Sequence, residues 1–93
     1  MPVKSVLLDL YIPYSYSLKN KRSIVQSMIK KIRNRYNASV AEIDALDKWQ
    51  QAILGVTVIS NSSVILEKTH SEIISYIENN YSDIQISGIK EYM

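Results

Sequence analysis

The spacing of apolar residues in this 93-residue chain switches from two to three or four and back, and it does so twice. Residues 3 to 12, VKSVLLDLYI, place Val6, Leu8, Leu10 and Ile12 at every second position, with Ser5, Leu7, Asp9 and Tyr11 between them. Successive strand side chains point to opposite faces, so this spacing predicts a strand with one apolar face and one mixed face. Pro13 lacks a ladder donor and ends it. From Ser17 to Tyr36, Leu18, Val25, Met28, Ile29, Ile32 and Tyr36 recur at helical spacing, and Asn37 is placed to close the helix.

Residues 39 to 44, SVAEID, read as a short strand, and ALDK as a turn. Residues 50 to 60, QQAILGVTVIS, are β-branched and apolar on both sides, as an interior strand would be. Asn61 and Ser62 cap a second helix carrying Ile65, Leu66, Ile73, Ile74 and Ile77, which Asn79, Asn80 and Ser82 break. DIQISGIKEY is a last strand, with a bulge at Gly88 where the alternation slips from Ile86 to Ile89. The order is β-α-β-β-α-β. Right-handed crossovers then place both helices on one face of a four-stranded antiparallel sheet, an α+β ferredoxin-like domain spanning residues 1–93. The other sheet face is left bare.

Net charge is +2, but it is unevenly spread. Residues 1 to 41 hold eight Lys or Arg and the single acid Asp9, while residues 42 to 93 hold three bases and eight acids. Such asymmetry implies an electrostatic face. It is sharpest at YSYSLKNKRS, where Ser17 is the expected N-cap and Lys19, Lys21 and Arg22 follow at once. A helix N-terminus already carries partial positive charge, so cations there are unfavourable unless an anion meets them. Lys19, Arg22, Gln26, Lys30 and Arg33 share one side of the helix, and Lys31 and Arg35 lie on the other flank of its apolar stripe. We therefore expect Ser17, Lys19, Lys21 and Arg22 to hold a phosphate and Lys30 and Arg33 to extend the footprint.

Three stretches together, SLKNKRSIVQSMIKKIRNRYNASVAEID, DKWQQAILGV and TVISNSS, resemble the small bacterial YlxP-like family of unknown function. The matching positions are Ser17, Leu18, Lys19, Lys21 and Arg22, then Asn37, Ser39, Val40, Ala41, Glu42 and Asp44, then Asp47, Trp49 and Gln50. The resemblance implies a ferredoxin-like domain and, through genome neighbourhoods, a setting in translation or ribosome maturation; it implies no activity.

Other chemistry finds little support. The chain has no Cys, so thiolate catalysis, disulfides and cysteine metal sites are excluded, and a cytoplasmic setting is expected. No segment approaches a membrane span. Both glycines, Gly55 and Gly88, fall in strands, leaving no phosphate-cradling loop of the kind an acylphosphatase-like enzyme needs. His70, on the apolar side of the second helix, has no second His or Cys with which to bind a metal. Glu42, Asp44 and Asp47 lack the spacing of a calcium loop. No cofactor, metal or catalytic residue is expected. Tyr11, Tyr14 and Trp49 are candidate stacking or interface residues, Trp49 being equally readable as a lid over one end of the core, although the third strand lacks the aromatics of a base-reading sheet. Leu7, Ile53 and Ile59 on or near the bare face suggest self-association. The expected partners are structured RNA or a ribosomal particle; the alternative is a homo-oligomer, a dimer first, with the basic helix set against the acidic half of a neighbour.

Overall fold

In the computed structural model, which describes residues 2–92, the alternation of the first strand determines where the core lies. In β1 (Val3–Tyr11), Val6, Leu8 and Leu10 turn inward and are almost wholly buried, as is Ile12 just beyond. The elements α1 (Leu18–Arg35), β2 (Ser39–Asp44), β3 (Gln51–Ile59), α2 (Ser63–Asn80) and β4 (Gln85–Tyr92) follow. All strand pairs are antiparallel and the sheet order is β2-β3-β1-β4. The architecture is the ferredoxin-like one expected.

The inward residues of β3, Ala52, Leu54, Val56 and Val58, pair across β1 with Leu10, Leu8, Val6 and Lys4. Val25, Met28, Ile29 and Ile32 of α1, and Leu66, Ile73 and Ile77 of α2, close over them. Each fully buried Leu or Ile contributes about 1.5–3 kcal/mol, so this single layer dominates stability. His70 is buried among these residues, with Nε2 2.9 Å from the Lys4 carbonyl oxygen, tying α2 to β1.

Both helices start as their sequences predict. Ser17 Oγ accepts from Asn20 N–H at 3.0 Å, and Ser62 Oγ from Ile65 N–H at 3.3 Å. The end of α1 differs from expectation: Tyr36 takes extended backbone and caps the helix, with its N–H on the Ile32 carbonyl at 2.8 Å, one residue before Asn37. The bulge in β4 lies beside Gly88, where Asp9 pairs with Gly88 and Leu10 with Ile86, so that Ser87 is the extra residue. A second bulge, unsignalled in the sequence, occurs at Ile43, between the pairs Glu42–Leu54 and Asp44–Ile53. The bare face carries Leu7, Asp9 and Tyr11 of β1 and Gln51, Ile53, Gly55 and Thr57 of β3; Ser5 and Thr57 hydrogen-bond across it at 2.8 Å.

Candidate nucleic-acid interface

The basic helix divides its cations into groups with different tasks. Lys21 does not lie where expected. Its ammonium is fully buried and donates to the Ala45 carbonyl at 2.8 Å and the Gln51 carbonyl at 3.0 Å. It also sits 2.9 Å from Glu42 Oε2, a buried oxygen that meets no other donor among the described residues. The three ammonium hydrogens are thus consumed by protein oxygens. Lys21 is therefore withdrawn from the phosphate-binding set: it locks α1 to the loop between β2 and β3.

The remaining cations lie on the surface. Lys31 sits over the Tyr81 ring at 5.9 Å, and the Arg35 guanidinium over Tyr76 at 5.2 Å and Tyr36 at 6.0 Å, all on the flank toward α2. Arg33 Nη2 donates to the Val40 carbonyl of the β2 edge at 2.7 Å, so Arg33 remains exposed but is anchored. Lys19, Arg22 and Lys30 are exposed, and among the described residues no carboxylate lies within ion-pairing distance of them; the ion pairs found are Lys4–Glu67 and Lys21–Glu42. With Gln26 and Arg33 they form a row about 20 Å long on the side of α1 facing the β2 edge. No acid occurs anywhere on α1. At its head, Ser17 O and Oγ satisfy the Lys21 and Asn20 N–H groups, and Asn20 Oδ1 accepts from Tyr16 N–H at 3.4 Å.

The two loops at this end of the sandwich are bound into one block. Gln50 Nε2 donates to Pro13 O at 2.9 Å and to Ser15 O at 3.3 Å, while Ile12 N–H donates to Gln50 O at 2.8 Å. Ala45 turns the chain with φ of 58°, and its carbonyl also accepts from Lys48 N–H at 3.1 Å. On this held loop Trp49 is 56% exposed, which excludes a role as a lid over the core. Tyr14 is 46% exposed and Tyr11 40% exposed. Partial burial of Tyr14, then the charge of Asp83, pushes its hydroxyl pKa up. Around the corner, on the bare sheet face, Asp9, Tyr11, Lys48, Gln50, Gln51 and Ser87 line a hollow of about 400 Å³. Among these, only Tyr11 was singled out by its sequence setting. Asp9 and Gln51 are brought together by strand register, which a lone sequence does not display; Gln51 Nε2 donates to Asp9 Oδ1 at 3.1 Å. Among the described residues, no group of three or more His, Cys, Asp or Glu is arranged to hold a metal ion. No helix among them is long and apolar enough to cross a membrane.

Fold and charge together define a ferredoxin-like α+β protein with an unbalanced cationic helix along one edge. Residues 3–90 match the family described as a protein of unknown function, DUF503, and the chain belongs to that family. It is 32% identical over 63 residues to the uncharacterised protein YlxP of Bacillus subtilis (strain 168), covering 68% of each chain. Its backbone is similar to the solution structure of a de novo designed ferredoxin-fold protein, LFR1 1, with a TM-score of 0.60 and 15% identity over 99% of this chain and 84% of that one. The designed protein shares the fold and carries no functional implication.

Proposed function

We propose that this protein is a non-enzymatic domain that docks on structured RNA, such as that of a ribosomal particle, through the outer side of α1. The observation that carries this reading is the row Lys19, Arg22 and Lys30, exposed and without acidic partners among the described residues, continued by Arg33. Exposed cations crowded on one helix repel each other and gain from a polyanion. The reading involves no catalytic step; the lone histidine is buried against a backbone carbonyl. Binding to ribosomal RNA fragments across a salt series tests it, using wild type and a Lys19→Glu, Arg22→Glu, Lys30→Glu variant of verified fold. Neutralising three or four phosphates gives a logarithmic salt slope of about −2 to −3 on single strands. Loss of that slope in the variant supports the reading, and binding indifferent to the three charges rules it out.

A second reading rests on a different surface. Ile43 is 49% exposed and Ile59 63% exposed, and Leu7 and Ile53 are half-buried, all on or beside the bare sheet face. Pairing of two copies through this face would cover an apolar strip that monomers seldom leave open. An oligomer that persists in high salt and dissociates on Ile53→Lys would favour it; a monomer at all concentrations would remove it.

A further inference from the structure

We infer that the hollow beside Tyr11 is a base-recognition subsite selective for guanine, resting on the RNA-docking reading and adding sequence preference to it. The hollow is of the size that small ligands occupy. It is polar in an ordered way. Asp9 and Tyr11 are neighbours on the same face of β1, about 7 Å apart along the strand. Tyr11 lies opposite Gln51 in the ladder, and the Gln51 amide fixes the Asp9 carboxylate. Among the described residues that is the only side-chain hydrogen bond Asp9 makes, so Oδ2 and part of Oδ1 remain free to accept. Gly88, paired opposite Asp9, presents no side chain beside the carboxylate.

A base stacked on the exposed Tyr11 ring directs its Watson–Crick edge at Asp9. Only guanine presents two adjacent donors there, N1–H and the N2 amino group, to match the two carboxylate oxygens. Adenine offers the acceptor N1, uracil brackets its N3–H with carbonyls, and cytosine has one amino group beside an acceptor. Lys48, exposed at the rim and without an acidic partner among the described residues, offsets the repulsion between Asp9 and the nucleotide phosphate. The Gln50 tie between the two loops and the Lys21 tie from α1 to the β2–β3 loop hold this rim at the same end of the sandwich as the head of the α1 row.

The test is titration of the whole protein with GMP, AMP, CMP and UMP, followed by backbone amide shifts. GMP is expected to move the amides around Asp9, Tyr11 and Gln51 and to bind roughly tenfold more tightly than the other three. Asp9→Asn, which preserves shape but replaces an acceptor by a donor, is expected to abolish that preference; Tyr11→Ala is expected to weaken all four nucleotides together. Equal shifts from all four, shifts confined to α1, or a guanine preference that survives Asp9→Asn overturns the subsite. The two readings fail separately. Guanine preference that persists while RNA binding ignores Lys19→Glu and Arg22→Glu sinks the helix reading alone. Salt-dependent RNA binding with no base preference sinks the subsite alone.

Discussion

Lys21 shows why residue type and residue position must be read together. At about 100° per residue it falls between Met28 and Ile32, in the middle of the apolar stripe, so its inward course was present in the sequence spacing. The two neighbouring cations, Lys19 and Arg22, concealed it by making the whole turn resemble one basic cluster. Its acceptors were not legible: Glu42 and the carbonyls of Ala45 and Gln51 come together only through the β2–β3 pairing. Breaking a buried pair from one side leaves the other charge stranded, so Lys21→Ala is expected to cost about 3–5 kcal/mol in denaturant unfolding. Lys19→Ala should stay within about 0.5 kcal/mol. Pairing Lys21→Met with Glu42→Gln should recover only part of the loss, because two backbone carbonyls remain without a donor. Tyr81 gives the opposite expectation. Its hydroxyl oxygen is buried without a hydrogen-bond partner among the described residues, so Tyr81→Phe should leave stability unchanged or raise it, by up to about 1 kcal/mol. A clear loss would reveal a partner for that hydroxyl.

At the scale of elements, period two and period 3.6 were sufficient to place all four strands and both helices, because every inward residue of β1 and β3 obeys strand parity. Where local preference and pairing compete, the sequence was less informative. The bulge at Ile43 accompanies no glycine, and its side chain lies over Gly55, where an added Cβ would come within 3.3 Å of it. The apolar character of both sides of β3 marked it as an interior strand, which it is, between β2 and β1, with Ile53 half-buried on the bare side. The caps were legible because capping is local in sequence. Ser17→Ala removes the acceptor for Asn20 N–H and should cost about 1 kcal/mol in thermal unfolding, with no change in the salt slope of RNA binding. A change in that slope would mean that the cap itself touches phosphate.

Across the whole molecule, stability is expected to fall on the alkaline side. The Glu67 carboxylate, hydrogen-bonded to Lys4, raises the lysine pKa, while burial raises those of Tyr14 and Tyr81. All three shifts favour the protonated form in the folded chain. Their contribution is complete below the unfolded values of about 10 for tyrosine and 10.4 for lysine, and it is lost as pH climbs through the raised folded values. Unfolding midpoints measured from pH 8 to 11.5 should therefore decline, and Tyr14→Phe with Tyr81→Phe should flatten the decline. An unaltered slope in that pair would assign the alkaline loss to Lys4 or to denatured-state charge. The buried ammonium has a further use as a reporter. Amine-reactive reagents will modify the exposed Lys19, Lys30, Lys31, Lys48, Lys68 and Lys90 promptly, whereas Lys21 reacts only when the 45–51 loop lifts from α1. The rate of that one slow acylation, followed by peptide mass, is a clock for loop opening, and a bound RNA that clamps the two loops together would be read as its slowing.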